Sequence, residues 1–195
     1  MRLNPPTILI FLISFVLATL AIVTKLGFIP IPRYLPHQEF WLSITAYFTL
    51  MVGNLVREFG MSLKGTGCQV FHEGMKVQIG NDTVLYPDIF VTCDKADLAT
   101  EQIFRSPQVV LEVLSPGTQA YDRSQKFALY RRIPSLQEYI LVDPETRRVE
   151  GFRRGDDGLW VLHDMSDGDT LEAACLGLRV PLSEVFAGID PPPGT

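Results

Sequence analysis

Val109-Val110-Leu111-Glu112-Val113-Leu114 runs into Ser115-Pro116-Gly117-Thr118. Six residues of near-continuous apolar character, closed by a turn tetrapeptide, are the signature of a strand buried on both faces. Downstream, Tyr121 to Arg132 carries Phe127 and Tyr130 three apart and reads as a helix stopped by Pro134. Glu138 to Val142 is a second strand, ending at Asp143-Pro144. Arg148–Arg153 and Leu159–Leu162 then form a hairpin across Gly155-Asp156-Asp157-Gly158. Pro181 to Phe186 closes the chain as a short helix, with Pro181 at its first turn.

Upstream, Val84 to Cys93 reads as a strand broken at Pro87-Asp88, and Asp94 to Arg105 as a loop or short helix. Cys68–Phe71 and Met75–Ile79 alternate like a pair of strands turning at His72-Glu73-Gly74. Ahead of Gly65-Thr66-Gly67, the apolar residues Trp41, Ile44, Phe48, Met51, Leu55 and Phe59 recur at helical spacing. Ser43, Ala46, Gly53 and Arg57 lie off that face, so a core helix packed on a sheet is expected. The order predicts an α/β (α+β) domain with a mixed central sheet flanked by helices.

Composition divides the chain. It has 195 residues, 47% hydrophobic and 20% charged, with net charge −5. Yet residues 1–56 contain only Arg2, Lys25, Arg33 and Glu39 as charged residues, so that +2 sits there and −7 on residues 57–195. Thr7 to Thr24 is uncharged and apolar, at the lower edge of bilayer-spanning length, and predicts an apolar N-terminal helix. A membrane anchor and a buried segment without membrane role both fit it; a signal peptide fits less well, since no clean small-x-small site follows. Pro30, Pro32 and Pro36 make a stiff linker. The expected organisation is a leader and linker over 1–36 and a domain over 40–190.

Two charges break the apolar pattern: Glu112 in its strand and Asp88 within Tyr86-Pro87-Asp88-Ile89-Phe90-Val91. A carboxylate in a doubly buried strand is costly without compensation. Each alone is explained by a strand end reaching water or by an arginine partner. Together, with Lys126 on the following helix, they point to a divalent cation. Oxygen ligands favour Mg2+ or Mn2+ over zinc. Zinc lacks ligands, since Cys68, Cys93 and Cys175 show no Cys-x-x-Cys spacing and His37, His72 and His163 are isolated. The odd cysteine count suggests a reducing compartment. Lys126 pairs with Asp122 on the surface, or it places an ammonium beside the metal. No Gly-x-Ser-x-Gly elbow or Gly-rich phosphate loop is present.

Tyr86-Pro87-Asp88, Glu112-Val113-Leu114-Ser115-Pro116, Tyr121-Asp122-Arg123 with Lys126-Phe127 and Tyr130-Arg131-Arg132, and Ser135-Leu136-Gln137-Glu138-Tyr139 follow in order. That set resembles the Uma-type family of bacterial restriction-endonuclease-like proteins, in the PD-(D/E)xK superfamily, from about Asn54 to Phe186. The resemblance implies a restriction-endonuclease-like mixed sheet, Asp88 and Glu112 as metal ligands, and metal-dependent hydrolysis of DNA phosphodiester bonds. Leu114 stands where the superfamily's Glu-x-Lys lysine would sit, which implies that the role has moved to Lys126. The family's polar Glu-Tyr-(Ile/Val)-Asp-Gly-Glu-like opening has no counterpart in residues 1–50, where Glu39 is the sole acidic residue.

The catalytic candidates are therefore Asp88, Glu112 and Lys126, with Mg2+ or Mn2+ as cofactor. Ser115, Thr118, Arg123, Arg131 and Arg132 are candidate phosphate contacts. Ser115 and Thr118 equally suit a turn, and the arginines a solvated face. The −7 of the body opposes tight non-specific DNA binding. Expected partners are DNA, a membrane through residues 7–24, and a second copy of the chain in a homodimer. The nuclease domain is expected in the cytoplasm, soluble or held at the membrane by the leader. A nuclease-fold binding or regulatory module without catalysis is the rival reading.

Overall fold

The structure is a computed structural model; it describes residues 38–189 except 73, 101 and 167, and residues 12–23 except 14, 18 and 21. The linker prolines, and residues 7–11 and 24 of the apolar stretch, lie outside the described residues. Within 12–23 the described positions are helical, with Phe15, Val16 and Ile22 exposed. Among the described residues no helix is long and apolar enough to cross a membrane.

The fold is α+β. Helix α1 (Gln38–Ser62) leads into β1 (Gln69–His72), β2 (Lys76–Ile79), β3 (Thr83–Leu85) and β4 (Ile89–Thr92). After α2 (Lys95–Leu98) come β5 (Ile103–Phe104) and β6 (Val109–Val113). A helical run follows in three parts: α3 (Gln119–Tyr121), a π turn (Asp122–Lys126) and α4 (Phe127–Tyr130). The chain ends with β7 (Glu138–Asp143), β8 (Arg148–Arg154), β9 (Trp160–Met165), β10 (Thr170–Ala173), β11 (Leu178–Pro181) and α5 (Leu182–Val185).

Six strands form the central sheet in the order β1-β4-β6-β7-β8-β9. β6 and β7 are parallel, joined across the helical run; the other neighbours are antiparallel. All five residues of β6 are buried. Val109, Leu111 and Val113 face one core with Met51, Leu55 and Phe59 of α1 and with the β10–β11 hairpin. Val110 and Leu114 face a second core with Phe127, Tyr130 and Tyr139. A strand covered on both faces has no polar side, which is why its sequence does not alternate.

The structure corrects several sequence expectations. Residues 68–79 do not make one hairpin: β1 pairs with β4 in the central sheet, while β2 joins β3 and β5 in a separate three-stranded sheet. The Val84–Cys93 stretch is likewise two strands in two sheets, divided at Pro87-Asp88. Proline has no N–H for a ladder, and the chain leaves the small sheet there. Helix α1 buries more than the predicted face, since Ala46, Val52 and Gly53 are also buried. The β10–β11 hairpin goes beyond the sequence expectations, although Leu171 and Ala173, and Leu178 and Val180, alternate with more exposed neighbours. The Gly65 and Gly67 φ angles are both +81°, a left-handed geometry that ends α1.

Cysteine count misled as well. The Gln69↔Thr92 register sets Cys68 opposite Cys93, and the two form a disulfide. Cys175 is the free thiol. The odd number is one pair plus one thiol, so it carries no argument for a reducing compartment; 25 residues of separation hid the pair.

Candidate active site

The site lies where β6 ends and the chain turns into the helical run. Asp88 sits one residue ahead of β4, beyond the last ladder pair with β6, Ile89↔Leu111. Its N–H is therefore free of the ladder and donates to Glu112 Oε2 at 3.3 Å. Its own Oδ2 accepts the Val113 N–H at 2.7 Å. Glu112 points into the second core and is 1% exposed. From the helix, Lys126 places Nζ 2.7 Å from Glu112 Oε2 and 3.4 Å from Asp122 Oδ1. Glu112 Oε1 and the Tyr130 hydroxyl are both buried without a hydrogen-bond partner.

Three elements far apart in sequence thus bring Asp88, Glu112 and Lys126 together. Sequence reasoning missed two members. Asp122 is a buried residue rather than a surface partner of Lys126. Tyr130 is fully buried beside Glu112. The signal was present: Asp122, Lys126 and Tyr130 are spaced by four, one face of a helix. A π turn spans Asp122–Lys126, a geometry that recurs at functional sites. The Asp122 carbonyl accepts the Tyr139 hydroxyl at 3.0 Å, which ties the turn to β7.

Electrostatics here is a contest. Burial, then the Asp88 charge, pushes the Glu112 carboxyl well above its ordinary range, against the Lys126 ammonium. Burial also raises Asp88, although the Val113 N–H and Lys126 oppose it. Lys126 is held above its usual value: burial works to lower it, but Glu112, Asp122 and Asp88 together outweigh that. Burial first, and the Glu112 charge second, raise the Tyr130 phenol well above ten.

The phosphate candidates do not join this cluster. The Ser115 and Thr118 hydroxyls bond each other at 3.0 Å in the turn. Arg123 turns away to Glu150, with Nη2 2.9 Å from Oε1. Arg131 and Arg132 are exposed, and the Arg131 guanidinium sits 5.0 Å over the Phe127 ring. Of the other basic residues, Arg153 binds Glu138 and Glu172, Arg148 binds Asp164, and Arg154 caps the Arg131 and Pro134 carbonyls. These arginines hold the fold.

Not every buried carboxylate marks chemistry. Asp97 accepts the Arg105 and Ser106 N–H groups and the Thr92 hydroxyl, closing the 94–105 loop. Glu138 Oε1 accepts Arg153 Nε at 3.0 Å and the Ala174 N–H at 2.8 Å. What separates Glu112 is a second carboxylate, Asp88, beside it, since Glu138 Oε2 is likewise buried without a hydrogen-bond partner. Among the described residues, no three His, Cys, Asp or Glu side chains stand close enough together to hold a metal ion. The charge and donor chemistry nevertheless fit a hard divalent cation. Asp88, Glu112 and Asp122 against Lys126 leave two negative charges uncompensated, and the donors are carboxylate oxygens.

The chain matches the family described as "Uma2: Putative restriction endonuclease" over residues 49–183. An uncharacterized protein of Synechocystis is 37% identical over 128 residues, 65% of this chain and 67% of that protein. A second from the same organism is 30% identical over 115 residues, 57% of this chain and 65% of that one. A crystal structure from Anabaena variabilis, titled a putative nuclease belonging to DUF820, superposes with TM-score 0.61 at 18% identity, covering 72% of this chain and 80% of that one. That likeness shows the fold. With more than half its length matched, the chain belongs to the Uma2 restriction-endonuclease family.

Proposed function

We propose that the protein is a metal-dependent DNA endonuclease whose site is Asp88, Glu112 and Lys126. The observation that carries this reading is their convergence, from three separate segments, into one buried cluster in a chain of a nuclease family. Asp88 and Glu112 would hold Mg2+ or Mn2+. When bound, the cation would polarise the phosphodiester and acidify a water. Water adds to phosphorus, one P–O bond breaks, and the leaving oxygen takes a proton. Lys126 contributes an ammonium beside the reacting phosphate, where it steadies the developing negative charge. Burial of Glu112 keeps these charges poorly screened, so each acts more strongly than in water.

DNA would approach along the turn that carries Ser115 and Thr118 and past the exposed Arg131 and Arg132. Arg123 serves instead to anchor the helix that presents Lys126. The uncharged 7–24 stretch, with exposed Phe15 and Val16, is proposed as an apolar helix contacting a membrane; flotation of the full chain with lipid vesicles tests it.

The test of the enzyme is plasmid DNA incubated with the full chain and MgCl2. Cleavage is expected, and its loss in Asp88→Ala, Glu112→Ala and Lys126→Ala. Binding of DNA without cleavage under any divalent cation would favour the binding-module reading and sink the catalytic one.

A further inference from the structure

The carboxylate cluster carries an inference that rests on the nuclease reading and deepens it. Glu112 has two unlike oxygens. Oε1 is sealed from solvent. Oε2 faces Asp88, and it already holds the Lys126 ammonium at 2.7 Å and the Asp88 N–H at 3.3 Å. A cation shared by Asp88 and Glu112 needs the oxygen that Lys126 occupies. Lys126 has somewhere else to go. Asp122 Oδ1 is 3.4 Å from Nζ, one turn back on the same helix, and Asp122 is buried.

We propose that Lys126 is a resident counter-ion that competes with the divalent cation for Glu112, and that its ammonium moves from Glu112 to Asp122 when the cation binds. Without a divalent cation, one ammonium partly offsets three carboxylates. With one bound, the two leftover negative charges are matched, and Lys126 and Asp122 remain as a neutral pair. Lys126 thereby stabilises the metal-free fold and sets the threshold for metal binding.

The sign of this competition distinguishes it from a lysine that only serves catalysis. Titration calorimetry with MnCl2, without DNA, compares the full-length wild type with Lys126→Met and Lys126→Arg. Removing a like charge this close to the cation should tighten Mn2+ binding in Lys126→Met about tenfold or more. Lys126→Arg, which keeps the charge, should stay near wild type. A Lys126→Met affinity equal to or weaker than wild type overturns the proposal. A crystal structure of the wild-type chain soaked in MnCl2 gives an independent check if Lys126→Met does not fold. The ammonium should be found on Asp122, and an ammonium still on Glu112 Oε2 beside a bound ion overturns the competition. If metal binds and DNA is cut but Lys126→Met is no tighter, only the competition falls. If no variant binds Mn2+ and DNA stays intact, the nuclease reading falls with it.

Discussion

Replacing Glu112 with glutamine should make the protein more stable at neutral pH while removing its proposed activity. Glu112 is 1% exposed, and burial together with the Asp88 charge outweighs the attraction of Lys126. Its carboxyl therefore titrates above the ordinary value of 4.5 in the folded chain. A raised folded value means the folded state holds the proton longer than the unfolded state does. The stabilising contribution is complete below the unfolded value and is lost as pH rises through the folded one. In its ionised form Glu112 thus burdens the fold. Glutamine keeps the volume, offers its carbonyl to Lys126, and can turn its amide towards the Tyr130 hydroxyl. The cluster loses one of two uncompensated negative charges, and Lys126 retains Asp122 at 3.4 Å. The expected gain is about 1–2 kcal/mol, the usual return from relieving a functional-site burden. For a domain of this size that is a rise of roughly 2–8 °C in Tm. Calorimetry in EDTA reads it directly. Wild type should lose stability as pH rises above about 4.5, and Glu112→Gln should lose less. A variant less stable than wild type at pH 7 would refute the reasoning, because the Lys126 attraction would then exceed burial and repulsion combined.

Glu138→Ala should behave oppositely, costing about 3 kcal/mol in urea unfolding, because it strips Arg153 and the Ala174 and Cys175 N–H groups of their acceptor. Reducing the Cys68–Cys93 disulfide frees a 25-residue separation and should cost about 3 kcal/mol; Cys175→Ser should leave the midpoint unmoved with and without reductant. Arg123→Ala should leave the salt dependence of DNA binding unchanged, since its guanidinium is committed to Glu150. Arg131→Ala with Arg132→Ala should lower the slope of log affinity against log salt by about 2.

How much of this was legible beforehand depends on what each element needs. β6 could be read because burial on both faces leaves a near-continuous apolar run of strand length closed by a turn. Glu112 stood out against that run, and Asp88 against its own. The halves of the 68–93 segment were misjoined because strands of three or four residues carry no record of their partner. Local alternation is identical whether a neighbour is adjacent in the chain or, as for β1 and β4, some seventeen residues away. The same blindness hid Cys68 from Cys93. Asp122 was visible at the right spacing from Lys126, but its burial was not, because the covering Tyr139 comes from β7.

The sequence by itself determined that this chain has a doubly buried strand bearing a carboxylate, a second carboxylate after a proline, and a lysine on the next helix. Hydrophobic periodicity and the cost of burying charge act locally, so residues alone express them. Only the tertiary structure decided which oxygens meet which cations. It separated Glu112, with the Asp88 carboxylate beside it, from Glu138 and Asp97, which accept backbone N–H groups that hold the fold. It also bound the Arg123 guanidinium to Glu150 and brought buried Asp122 and Tyr130 beside Lys126 and Glu112. Those outcomes depend on distances of a few ångströms between residues tens of positions apart, and strand register and helix packing set them.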